Sequence, residues 1–93
     1  MSAFFVANVK IKDKANYSKY LEKVDAVFSK FNGKYLTVDK NPEILEGQWE
    51  YSLFVLIEFP DKDSLKNWYY SDEYQEILKF RLSGADCNTI IVE

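Results

Sequence analysis

Two stretches of this chain are apolar on both sides of an extended backbone, and that most constrains how it can fold. In Ala3–Ile11, Ala3, Phe5, Ala7 and Val9 fall on one side, and Phe4, Val6 and Asn8 on the other. In 50–59, Tyr51, Leu53, Val55, Ile57 and Phe59 fall on one side, and Phe54 and Leu56 on the other, with Ser52 and Glu58. Side chains alternate along a strand, so a strand wet on one face reads apolar–polar, whereas these two read as strands covered twice.

The segments between them read as helices and shorter strands. Asp13 is placed to cap a helix whose apolar positions are Tyr17, Tyr20, Leu21, Val24, Val27, Phe28 and Phe31, a single wide stripe at helical spacing. Asn32-Gly33 ends it, with Gly33 the residue suited to a left-handed position. Residues 34–40 alternate as a second strand, with Tyr35, Thr37 and Asp39 on one face and Leu36 and Val38 on the other. Pro60 stops the third strand. A short helix with Leu65, Trp68 and Tyr69 follows, and Ser71 caps a further one carrying Tyr74, Ile77, Leu78 and Arg81. Ser83-Gly84 ends that helix, and 87–92 is a last strand.

This order is β-α-β-β-α-β with the second helix broken in two, the α+β ferredoxin-like arrangement. Right-handed crossovers put the first and third strands side by side in the middle of a four-stranded antiparallel sheet, with all helices on one face. The helices dry only that face. An uncovered apolar sheet face is rare on a soluble monomer, so a second copy packed face to face is the expected cover, giving a homodimer. The 93 residues suffice for one domain, 1–93, and a domain this small commonly leans on disulfides, metal or association. Cys87 is the only cysteine, which leaves no disulfide within the chain and favours association.

Several chemistries are excluded or disfavoured. The chain has no histidine, which removes the commonest zinc ligand, nucleophile–histidine pairs and histidine-ligated haem. Asp61, Asp63, Asp72 and Glu73 lack calcium-loop spacing and read as helix caps, so no metal and no cofactor is expected. A net charge of −3 without a basic patch argues against nucleic acid as a partner. No apolar run reaches membrane-spanning length, and the N-terminal residues do not form a signal peptide, so the expected setting is the cytoplasm.

Asn32-Gly33-Lys34-Tyr35-Leu36, Leu45-Glu46-Gly47-Gln48-Trp49, Leu56-Ile57-Glu58-Phe59-Pro60, Trp68-Tyr69, Ser71-Asp72-Glu73-Tyr74 and Arg81 follow one another in this order. Over nearly its whole length the chain resembles the domain-of-unknown-function 1330 family, within the dimeric α/β-barrel superfamily. It differs at Asn32, where the family often has glycine, and at Asp72, where it often has proline. The resemblance implies a ferredoxin-like protomer and a two-sheet barrel dimer, and no settled activity. The superfamily includes cofactor-free monooxygenases, isomerases and haem-degrading proteins, and fold alone does not choose among them.

Arg81 is the only arginine beside eleven lysines, and it lies on an apolar stripe. It pairs structurally with Glu58 or the Glu73 region, or binds a carboxylate or enolate oxygen of a small acidic or aromatic molecule, and the two roles are compatible. Glu58 in an apolar strand is either a strand-end carboxylate with a basic partner or a general base. Asn8 is either a satisfied core amide or a ligand contact. Tyr17, Tyr20, Tyr35, Trp68 and Tyr69 are either core or pocket wall, and Trp49, in the long loop, is the expected interface anchor. Cys87 reads as a buried, inert thiol. Three functions remain: a homodimeric small-molecule binder, a cofactor-free monooxygenase or isomerase with Glu58 as base and Arg81 as oxyanion partner, and a structural or interaction module.

Overall fold

In the computed structural model, which describes residues 1–93, the chain folds as β1 (Ala3–Ile11), α1 (Lys14–Phe28), a single 3-10 turn (Ser29–Phe31), β2 (Lys34–Asp39), β3 (Leu53–Phe59), α2 (Lys62–Tyr69), α3 (Asp72–Gly84) and β4 (Ala85–Val92). The sheet order is β2-β3-β1-β4, antiparallel throughout, so the two doubly apolar strands are the central pair. The break between α2 and α3 falls at Tyr70-Ser71. No helix is long and apolar enough to cross a membrane.

Each helix starts where a side chain takes up free backbone donors. Asp13 Oδ1 accepts from Ala15 N and Asn16 N, Asp61 Oδ1 from Ser64 N, and Ser71 Oγ from Tyr74 N. The apolar stripes of α1, α2 and α3 then close over Ala3, Phe5, Ala7, Val9, Leu53, Ile57 and Phe59. Trp68 is fully buried, with ring centroids 5.2 Å from Phe5, 5.3 Å from Phe59 and 4.2 Å from Tyr74.

The structure corrects four local expectations. The left-handed residue after α1 is Asn32, at φ 65°, and not Gly33. Gly33 is needed for closeness: a Cβ there would stand 2.5 Å from Phe28 and 2.9 Å from Phe59. β3 begins at Leu53 rather than at residue 50, although Ser52 N still bonds Val9 O at 2.7 Å. β4 starts two residues earlier, at Ala85, because α3 runs directly into it.

The fourth correction changes a face. β2 carries a bulge, so Tyr35 pairs with Ile57 and Thr37 with Leu56, leaving Leu36 as the extra residue. Beyond the bulge the alternation is reset. Tyr35 and Val38 therefore share the helix-covered face, while Thr37 and Asp39 join the other.

Opposite the helices, the sheet presents Phe4, Val6, Phe54 and Leu56, all half-buried, and Ile90 and Val92, both exposed. Asn8, Glu58 and Asn88 share this face, as the pairs Phe4–Glu58, Asn8–Phe54 and Asn8–Asn88 show.

Candidate functional site

The helix-covered face is not packed to uniform height. Ala7 lies between Phe5 and Val9 on the central strand and offers one methyl where its neighbours offer full side chains. Beside it, between sheet and α1, lies a cavity of about 50 Å3, lined by Phe5, Tyr17, Tyr20, Tyr35 and Val55 among others, with Arg81 the one charged residue in its wall. Tyr17 and Tyr20 come from the buried stripe of α1, Tyr35 from β2 before its bulge, and Arg81 from the stripe Tyr74–Ile77–Leu78–Arg81 of α3.

Gly84 locks the two helices in this arrangement. Its carbonyl accepts from Lys12 N at 2.8 Å and Asp13 N at 2.9 Å, joining the start of α1 to the end of α3. A Cβ on Gly84 would meet Tyr17 N at 2.7 Å, so only glycine permits the approach that sets Tyr17 beside Arg81.

Arg81 is 3% exposed. It forms no ion pair, and its Nε has no hydrogen-bond partner. Its guanidinium carbon lies 5.7 Å from the Tyr20 ring centroid and 5.9 Å from that of Phe5. The expected pairing with Glu58 or the Glu73 region is not formed. Glu58 is on the opposite face of the sheet, and Glu73 is engaged by Lys30 at 2.7 Å. Placing a charge in apolar surroundings without a counter-ion is costly, so an unpaired interior guanidinium is an uncompensated feature of the protomer.

The neighbouring groups do not supply the missing charge. Tyr20 and Tyr74 are hydrogen-bonded, hydroxyl to hydroxyl, at 2.8 Å. Burial raises the pKa of both, and burial pushes Tyr17 up to about 12, against a partial lowering by Arg81 in each case. Burial likewise raises Tyr35, whose hydroxyl donates to Asp25 at 3.0 Å and ties β2 to α1. These phenols are neutral at neutral pH. Burial tends to lower the Arg81 pKa, and the opposing pull of Tyr74, Tyr20 and Cys87 acts only once those groups ionise at alkaline pH; at neutral pH the guanidinium is charged and has no anion beside it. Cys87 is half-buried, and burial raises its pKa.

The remaining expected residues are dispersed. Glu58 and Asn8 share the open face, so the sheet separates Glu58 from Arg81 and the expected base–oxyanion pair does not converge. Trp68 is sealed in the core and is absent from the cavity wall, and Tyr69 borders a different groove by Leu65 and Ile91. Trp49 lies half-buried in the loop before β3, stacked edge-on against Tyr51 at 5.1 Å, with its Nε1 lacking a partner. The Tyr51 hydroxyl in turn meets the Asn88 side chain. Phe5, Leu21 and Val38 join the wall although the sequence did not single them out. The small Ala7 in a central strand is the signal that marks the gap.

No curated protein matches the chain. Among solved structures it is similar to a protein of unknown function from Rhodopseudomonas palustris, at 17% identity and TM-score 0.83 over 98% of this chain and 80% of that one. It is also similar to a dimeric ferredoxin-like protein of unknown function from Jannaschia sp., at 10% identity and TM-score 0.76 over 100% and 99% of the two chains. A third similar structure is SnoaB, a cofactor-independent oxygenase from Streptomyces nogalater, at 11% identity and TM-score 0.73 over 99% and 91%. At such identities the likeness establishes the ferredoxin-like fold alone. The model of the domain of unknown function DUF1330 matches residues 2–93, and the chain therefore belongs to the DUF1330 family.

Proposed function

We propose that this protein binds a small molecule carrying a carboxylate or another oxygen anion, with the anion seated against Arg81. The observation that carries this reading is the buried guanidinium without a counter-ion in the wall of an otherwise apolar, tyrosine-rich cavity. Guanidinium N–H groups are directional donors matched to carboxylate oxygens, and a bound anion would offset the desolvation that Arg81 already bears. Tyr17 and Tyr35 would contact the body of the ligand. No catalytic step is proposed, because the only acidic residue expected as a base, Glu58, lies across the sheet.

The test is calorimetry with a panel of small aliphatic and aromatic carboxylic acids against wild type and Arg81→Met. Binding to wild type alone is the expected result. Identical responses of the two proteins to every acid would remove Arg81 as the anchor and the reading with it.

We further propose that a second copy covers the open face, with Trp49 at the rim as an anchor. The apolar run Phe4, Val6, Phe54, Leu56, Ile90 and Val92 supports this, as does the dimeric description of the Jannaschia protein. Sedimentation velocity at micromolar protein checks it, since a single monomeric species would refute the pairing.

A further inference from the structure

The cavity at Arg81 is too small to hold more than a few non-hydrogen atoms, roughly a headgroup. It does not stand alone. A wider, open chamber of about 350 Å3 adjoins it, between the start of α1 and the end of β2, and Tyr17, Leu21 and Leu53 line both. Leu21 is the apolar residue of the α1 stripe that stays half exposed, at 48%, and it lines both spaces.

The charges of the two chambers are one-sided. Lys14 and Lys40 line the outer one and Arg81 the inner one, and no Asp or Glu lines either, on a chain whose net charge is −3. Neither lysine forms an ion pair, unlike Lys12, Lys30, Lys62 and Lys79. The nearest carboxylates in sequence are turned to backbone: Asp13 Oδ1 caps α1, and Asp39 Oδ1 accepts from Asn41 N at 2.8 Å. Between the outer cations and the inner one, the shared wall is apolar or aromatic.

Resting on the anion-binding reading of Arg81, we infer that the ligand is a dianion, an elongated molecule with two acidic groups. One group enters head-first to Arg81, an apolar middle lies against Tyr17, Leu21 and Leu53, and the second group stays in the mouth with Lys14 and Lys40. The inner charge is desolvated and sets whether a ligand binds. The outer pair is hydrated and sets which acids bind better, with a salt-sensitive contribution.

Calorimetry with matched pairs of straight-chain acids, monocarboxylate against α,ω-dicarboxylate from four to eight carbons, tests this on the intact protein. At least one dicarboxylate is expected to bind about fivefold or more tighter than its monocarboxylate, the advantage shrinking in 0.5 M salt. The double variant Lys14→Gln/Lys40→Gln, both exposed positions, is expected to lose that advantage and keep monocarboxylate binding. Arg81→Met is expected to bind neither acid. Equal affinities for the two acids at every length in wild type, or a preference that survives Lys14→Gln/Lys40→Gln, would overturn the dianion inference while leaving Arg81 as the anchor. Binding of both acids by Arg81→Met would instead overturn the anchor, and the two-anchor ligand with it.

Discussion

The two faces of one sheet are built from the same strands and largely the same kinds of residue, yet they differ in state. Toward the helices, Phe5, Val9, Leu53, Ile57 and Phe59 lie beneath three helices and are buried, and one cation, Arg81, is enclosed with them. Away from the helices, Phe4, Val6, Phe54 and Leu56 are half-covered by their neighbours alone, and Ile90 and Val92 are open. The first face is closed by apolar packing except at the small cavity beside Ala7, and is incomplete electrostatically. The second is incomplete as packing, and Glu58 sits half-buried among its apolar residues. The covered face thus lacks an anion and the open face lacks a cover, and these are different kinds of partner.

The largest expected effect breaks the covered face. Trp68→Ala removes the ring that joins Phe5, Phe59 and Tyr74, and should destabilise the fold by about 3–5 kcal/mol in denaturant unfolding. A loss below 1 kcal/mol would show that the core closes without it. On the open face, charge insertion as Phe54→Lys with Leu56→Asp should weaken self-association by about 2–4 kcal/mol, read as a shift of the monomer–dimer midpoint in sedimentation. The far-UV spectrum should persist, because the covered core is intact. An unchanged midpoint would place any interface elsewhere.

Arg81→Met sharpens the contrast by reversing sign. Replacing an unpaired interior charge with an apolar side chain of similar length should raise stability in the absence of ligand by about 1–3 kcal/mol while abolishing acid binding. A destabilised Arg81→Met would mean that the guanidinium is compensated within the fold by its phenol neighbours.

The gentlest test is alkaline titration. Tyr17, Tyr20, Tyr35 and Tyr74 have folded-state pKa values raised above the ordinary 10.0 by burial, so the unfolded chain releases these protons first. Their contribution to stability is whole below pH 10 and is lost as pH rises through about 12, the folded value of Tyr17. Phenolate absorbance from these four should therefore appear together with loss of the helical signal. Full phenolate absorbance from all seven tyrosines at pH 11 with the fold intact would contradict the buried cluster.

Much of this arrangement was legible from spacing. The doubly apolar strands are the central pair, the α1 stripe includes its five buried residues along with Leu21, which is exposed, and Phe31, which lies past the helix end, and Asp13 and Ser71 are caps. Arg81 was legible as an inward residue because it falls on the stripe of Tyr74, Ile77 and Leu78. Its isolation was not, since whether Glu58 meets it depends on which side of β3 faces the helices. Strict alternation sets Val38 opposite Tyr35, and the two share a face for a related reason: a bulge inserts one residue without any local sign in Leu36-Thr37, and everything after it changes sides. Gly33 was legible as a necessary glycine but for the wrong cause, because the rings it would strike come from Phe28 and Phe59, one of them distant in sequence.

What the amino-acid order settled by itself was periodic: which segments are strands and helices, which positions turn inward, and that one layer of helix leaves an apolar sheet face without cover. Those follow from alternation at two and at 3.6 residues, which each segment carries locally. The tertiary structure alone decided which charged groups meet. Arg81 of α3, Lys14 of α1 and Lys40 just after β2 line two adjoining cavities, while Glu58 is carried to the other side of the sheet. Contacts of that kind depend on register and crossover, which are set by the packing of the whole chain and are written in no single stretch of it.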